Sequence, residues 1–326
     1  MQVTHTLEED HNFPSGFSEN LLKRLTPRKK YGNFLNNPIM INELSNLPPG
    51  VMDGSIKVDD LDRQYLLYIP KSYSKDKKMP LLIALHGRFE TGETMMKGSG
   101  FNDIADREGF IVVYPYGYRR SWADGRDAVP ADKDNIDDVK FITTLMDYLI
   151  KEFSIAKEKV FISGYSNGAV MANTLAVKIT DRLAGVASVE GDMTYYDISS
   201  FPLSKHIPIM FVNGTADKII KIDGGSGGIL KNYSFPSIER VLNVWKNFNG
   251  CHQTASLKRY AEKDDGTVSL VILYDCVNAP VELILDINAG HIWPEYKIKY
   301  PQWLLGKATT EINASDEIWK FFKEST

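Results

Sequence analysis

The chain has 326 residues, 43% of them hydrophobic and 25% charged, and a formal net charge of −4. That length accommodates one large α/β domain or two small ones. No Lys/Arg cluster is interleaved with aromatics, and the runs Arg28-Lys29-Lys30 and Lys75-Asp-Lys-Lys78 read as solvated loops, so nucleic acid is not an expected partner; nor does any segment reach the ~18–20 consecutive apolar residues of a membrane span.

Residues 1–50 are rich in Asn, Pro, Lys and Glu, show no sustained period and end in the breaker Leu47-Pro-Pro-Gly50, which marks an extension ahead of a domain over residues 51–326. Ser55–Val58 and Arg63–Ile69 then read as two antiparallel strands, the second closed by Pro70. Pro80–Leu85 and Phe110–Tyr114 are continuous apolar runs, the pattern of strands covered by helices on both faces of a parallel sheet. Helix and strand signals alternate from there: helix Ile136–Phe153, strand Val160–Ser163, helix Gly168–Thr180, strands Ala184–Val189 and Ile207–Val212, and helix Ser237–Phe248. A hairpin over Ser256–Tyr260 and Val268–Tyr274, strand Val281–Ile287 and a last helix Asn313–Lys323 complete the chain. This alternation predicts an α/β fold with a doubly wound, mostly parallel sheet.

Gly164-Tyr-Ser166-Asn-Gly168 lies between an apolar strand signal and a helix of small residues. In that context G-x-S-x-G is a nucleophile elbow: the glycines let strand and helix approach, and the helix start directs N–H groups toward developing negative charge. A serine hydroxyl is a weak nucleophile, so it needs a base and an anion to orient that base. His291, in the loop after the last strand, is the candidate base, ahead of His252 beside the hairpin. Asp217 leaves the sheet after strand Ile207–Val212 and is the candidate acid; an ordinary Asx turn is its other reading, and Asp223 its nearest competitor. His86-Gly87 ends an earlier strand. The next loop is placed to supply one oxyanion-hole N–H, from Arg88, with Asn167 supplying the other, while His86 packs beneath the turn.

Trp122, Tyr165 and Trp293 are candidates for the substrate pocket, as apolar walls for an aromatic acyl group or stacking surfaces for sugar, with core packing as the other reading. Asp137 and Asp138 begin a helix, where carboxylates favour the dipole. Asn213, Asn232 and Asn313 occupy N-x-S/T triplets, which matter only in a glycosylating pathway. Cys251 and Cys276 flank the hairpin; one bridge would close a loop of about 25 residues and add ~3 kcal/mol, or they are two separate thiols. The first ten residues carry no basic n-region and no apolar h-region, so the chain is either cytosolic or begins after a removed leader.

The sequence resembles the secreted esterases that include polyhydroxybutyrate depolymerases and the feruloyl and acetylxylan esterases of carbohydrate esterase family one. The resemblance rests on Arg63-Gln-Tyr-Leu-Leu-Tyr-Ile-Pro70, Leu85-His-Gly87, Gly109–Pro115, Asn135-Ile-Asp-Asp-Val139, Gly164–Gly168, Gly214-Thr-Ala-Asp217 and Gly290-His-Ile-Trp-Pro294, in order over about residues 54–325. It implies the α/β-hydrolase fold, the triad Ser166, Asp217 and His291, no metal or organic cofactor, export, and a Cys251–Cys276 disulfide. The reaction expected is ester hydrolysis through an acyl-enzyme, on feruloyl or acetyl esters of plant polysaccharide ahead of polyhydroxyalkanoate or other short-chain esters, by a monomer or dimer whose partner is its ester substrate. A non-catalytic binding module on this fold would generally have lost a triad member, and all three are present. Two departures from the family pattern are Arg88, where a small residue is common and whose side chain could enter the acyl pocket, and Glu295, where glycine is usual.

Overall fold

A computed structural model describes residues 50–227 and 233–326; the expected extension ahead of Gly50 and the triplet at Asn232 lie outside them. Among the described residues ten strands form one sheet in the order β1-β2-β4-β3-β5-β6-β7-β10-β9-β8: β1 Val51–Val58, β2 Leu61–Tyr68, β3 Met79–Leu85, β4 Ile111–Pro115, β5 Ile155–Tyr165, β6 Gly185–Val189, β7 Ile209–Gly214, β8 Cys251–Tyr260, β9 Val268–Cys276 and β10 Val281–Ile287. From β4 to β10 the neighbours are parallel; β1-β2 and β8-β9-β10 pair antiparallel at the two edges, and β2 meets β4 antiparallel. This is the α/β-hydrolase architecture.

The uninterrupted apolar runs have their expected cause. Successive side chains of β3 point to opposite faces, so Leu81, Ile83 and Leu85 join one core and Leu82 and Ala84 the other. Helices Asp138–Glu152, Asn167–Lys178 and Ile238–Asn249 cover the first face through Phe141, Met171 and Trp245. Helices Gly92–Ser99, Phe101–Glu108 and Ala314–Ser325 cover the second through Met95, Phe101 and Trp319. Among the described residues no helix is long and apolar enough to cross a membrane.

Cys251 and Cys276 are bridged. They face each other in the β8–β9 register, inside strands longer than the expected hairpin, and tie its open end. The parallel strands end together at Leu85, Tyr165, Val189, Gly214 and Ile287, so the loops that follow them meet along one edge, the usual place for a site in such a sheet.

Candidate active site

Ser166 is half-buried between fully buried neighbours at the turn from β5 into helix Asn167–Lys178. Its backbone sits at φ 53° and ψ −119°, a strained region for a residue with a side chain. The surroundings enforce it. The Ser166 N–H is held by the Val189 carbonyl at 2.9 Å, and the Ser166 carbonyl accepts from Ala169 and Val170. A Cβ at Gly164 would come within 2.1 Å of the Gly168 carbonyl oxygen, and one at Gly168 within 2.5 Å of that of His86. Both elbow glycines are therefore dictated by backbone contact.

His291 Nε2 lies 2.7 Å from Ser166 Oγ and its Nδ1 lies 2.6 Å from Asp217 Oδ2. A carboxylate can only accept, so Nδ1 carries the proton and Nε2 faces the serine hydroxyl as acceptor. Asp217 uses its other oxygen, Oδ1, to accept from the Ile219 and Ile220 N–H groups at 2.6 and 3.0 Å. The Asx turn and the His291 contact are thus made by the same side chain. Asp223 and His252, the competing candidates, are exposed.

The loops carrying Asp217 and His291 are fixed to each other. Ala216 N–H donates to Ala289 O at 2.8 Å and His291 N–H to Leu305 O at 2.6 Å. The approach is too close for side chains: a Cβ at Gly214 would meet Ala289 O at 2.4 Å and one at Gly290 would meet Leu305 O at 2.2 Å. Glu295 adopts φ 60°, the left-handed conformation that explains why glycine is usual there.

His86 is buried beneath the turn, as expected. Its Nε2 accepts from the Gly117 N–H at 2.9 Å, so Nδ1 carries the proton and donates to Gly87 O at 2.8 Å. Burial lowers its pKa to about 4, and the neutral ring is a structural hydrogen-bond bridge. In the following turn Gly87 N–H donates to Glu90 Oε2 at 3.0 Å, Glu90 N–H to Gly87 O at 3.1 Å, and Phe89 N–H to Arg120 O at 2.9 Å. Arg88 lies in the middle of that turn. Its side chain turns to Ala128 O and lies over the Phe89 ring.

The three aromatic pocket candidates need correction. Trp122 and Trp293 are 0% exposed and Tyr165 3%, so none offers a wall to substrate. Trp122 instead joins two halves of the site: its Nε1–H donates to His86 O at 2.9 Å and its N–H to Asn167 Oδ1 at 2.8 Å. Tyr165 donates to the His291 carbonyl at 2.8 Å and so holds the backbone of that loop. Trp293 Nε1–H is held by Ser315 Oγ at 3.2 Å, anchoring the same loop to the last helix. Of the two helix-start carboxylates, only Asp137 caps, accepting from Lys140 N–H; Asp138 pairs with Arg63 at 2.6 Å and accepts from Ala123 N–H at 2.7 Å, fixing the loop that holds Trp122. Asn213 is buried against Asp192, which removes it as a glycosylation acceptor.

The sequence profile of the esterase PHB depolymerase family matches residues 63–233, a span that includes the elbow and Asp217. The chain belongs to that family. It is 31% identical over 268 residues to the putative esterase NocK of Nocardia uniformis subsp. tsuyamanensis, covering 78% of this chain and 77% of that one. It is 27% identical over 171 residues to the bifunctional acetylxylan esterase/xylanase XynS20E of Neocallimastix patriciarum, covering 52% of this chain and 24% of that protein. The chain thus spans about a quarter of that relative's length. An acetyl xylan esterase from Aspergillus awamori shares the fold, with a TM-score of 0.55 at 13% identity over 83% of this chain and 98% of that one.

Two buried carboxyl groups beside the site were not singled out from sequence. Glu90 Oε2 holds Gly87, while Oε1 is bonded to Tyr300 and lies 3.5 Å from Tyr296 Oη, so one side chain joins the Arg88 turn to the segment after His291. Its position three residues beyond Gly87, at turn spacing, was a usable signal. Glu190 follows β6 at once, and an acid at the carboxyl end of a parallel strand was another. Glu190, Asp217 and His291 each bring a donor atom within 4.8 Å of the others, a set that could in principle hold a cation. Both ring nitrogens of His291 are already engaged, by Asp217 and Ser166, so it fits a triad with an added carboxyl group better than a metal centre.

Proposed function

We propose that this chain is a serine carboxylic-ester hydrolase acting through an acyl-enzyme, and that its substrates are acetyl or feruloyl esters on plant polysaccharide. The observation that carries the reading is the hydrogen-bonded series Ser166 Oγ, His291 Nε2 and Nδ1, and Asp217 Oδ2, at 2.7 and 2.6 Å, on a strained half-buried turn. Ser166 Oγ attacks the ester carbonyl as its proton passes to His291 Nε2, and Asp217 stabilises the imidazolium that forms. His291 then protonates the departing alkoxide, and water repeats the sequence on the acyl-serine. The N–H groups of Asn167 and Arg88 hold the oxyanion. Asn167 is the first residue of its helix, where an N–H has no carbonyl one turn earlier, and Arg88 lies between Gly87 and Phe89 in the turn that follows β3.

The acetyl half of this proposal gains over the feruloyl half because Trp122, Tyr165 and Trp293 are closed to substrate. The family's polyhydroxybutyrate depolymerase description supports a short-chain polyester as the second reading. Export is part of the proposal, supported by the Cys251–Cys276 bridge, since such bonds persist in oxidising compartments. Rates on acetylated xylan, p-nitrophenyl acetate, methyl ferulate and a polyhydroxybutyrate film, with Ser166→Ala in parallel, test it. Acetyl esters should be cleaved fastest, and the variant should lose on the order of 10⁴-fold or more of kcat. Preference for ferulate or for the film would select those substrates instead, and a wild-type chain inert on all four would contradict the proposal.

A further inference from the structure

Glu190 is 0% exposed and brings a carboxyl oxygen within 4.8 Å of both Asp217 and His291. Its backbone is pinned at φ 50°, with its N–H on the Val212 carbonyl at 2.8 Å. Oε2 accepts from the Gly214 N–H at 3.2 Å. Oε1 is buried and finds no hydrogen-bond donor among the described residues. An ionised carboxylate there would leave a fully desolvated anionic oxygen beside a second carboxylate, an arrangement of high cost. One of the two must hold a proton. Asp217 receives donors from His291 Nδ1, Ile219 N and Ile220 N, whereas Glu190 receives one from Gly214. The charge therefore belongs on Asp217 and the proton on Glu190.

Resting on the serine-hydrolase reading, we propose that Glu190 is a positioning residue for the triad: as a neutral acid it donates an Oε1–H hydrogen bond to the Asp217 carboxylate while Oε2 accepts from Gly214. Asp217 is thereby held by a third contact besides its Asx turn and His291. The groups that face Glu190 are Asp217 from the loop after β7, Asp286 from β10, Tyr165 from β5 and His291 from the loop after β10; the first three offer no positive charge, and His291, whose Nε2 faces Ser166 as an acceptor, carries one only after it takes the serine proton. Burial first, then the Asp217 charge, push its carboxyl well above the usual range. A carboxylic acid kept neutral so that it can donate a hydrogen bond is an established device in enzyme sites.

Glu190→Gln and Glu190→Ala separate this role from simple packing. Glutamine is permanently neutral and its amide donates where the acid did, so kcat/KM should stay within about fivefold and its low-pH limb should not move. Alanine removes the donor. It should lower kcat by about tenfold or more and move that limb upward, because the negative charge on Asp217 is then less shared and favours protonated His291. If Glu190 were instead ionised, glutamine would delete a negative charge, and the low-pH limb would move down by about one unit; that result would overturn the proposal. So would an alanine variant with unchanged kcat and pH profile. A readout independent of turnover is the infrared band of a protonated carboxyl group at neutral pH: it should be weaker in Glu190→Gln than in wild type, and equal intensity would refute the neutral acid. A weakened band in a chain inert toward every ester would leave the hydrogen bond standing and reject the hydrolase reading alone.

Discussion

Trp122 shows how much of a site can depend on a side chain that is fully buried. Its indole N–H satisfies the His86 carbonyl and its main chain is clasped at both ends by Asn167, whose Nδ2–H donates back to Trp122 O at 3.1 Å. Trp122→Phe deletes the first bond and leaves a small void, a change that should cost about 1–3 kcal/mol of stability. It also frees the backbone leading to Arg88. We expect kcat to fall by about tenfold with KM within about twofold, as for a displaced oxyanion donor; stopped-flow acylation rates would measure it, and an unchanged acylation rate would mean that Trp122 only packs. Asp217 teaches a related lesson. An Asx turn and a contact with His291 look like alternatives in sequence, yet the two carboxylate oxygens let Asp217 make both.

At the scale of elements, what was legible followed from periodicity and from backbone contact. The apolar runs around Leu82 and Val112 announced buried parallel strands because apolar side chains cover both of their faces. The elbow was legible because only glycine fits at positions 164 and 168. Helices Gly92–Ser99 and Phe101–Glu108 escaped notice because Gly98-Ser-Gly100 interrupts their period; Gly100, at φ 72°, ends one helix and starts the next. The pocket aromatics were misplaced because sequence position near the catalytic residues says nothing of which way an indole points. Glu90 and Glu190 were missed for a similar reason: a carboxylate in a loop reads as solvated until the strands bring the loops together and bury it.

Across the whole molecule, the buried acids give stability a pH dependence of known sign. Burial pushes Asp192, Glu282 and Asp286 up to about 7 and Asp197 to about 6. Between an unfolded carboxyl pKa near ~4 and these values the native chain binds more protons, so stability is greatest on the acid side and falls as pH rises. His86, lowered to about 4, works the other way up to its unfolded pKa of ~6.5, but it is one group against four. Asp265, lowered to about 2 by Thr267 and Thr310 donors against its burial, contributes stability that disappears only below ~4. Thermal unfolding should therefore show a Tm higher at pH 5 than at pH 8 by about 5 °C or more, and a Tm that rises over that interval would contradict these assignments. Hydrolysis should move oppositely, since His291 must be neutral to take the serine proton, so the pH of greatest stability and of greatest activity should differ.

The central claim is that Ser166 is a nucleophile activated by His291. It is tested most directly by treating the protein with a fluorophosphonate and locating the adduct by peptide mass spectrometry. One stoichiometric adduct on the Gly164–Gly168 peptide at Ser166, formed at least about 10³-fold more slowly in His291→Ala, is the predicted result. An adduct on a different serine, or no adduct on the folded wild-type chain, would contradict it.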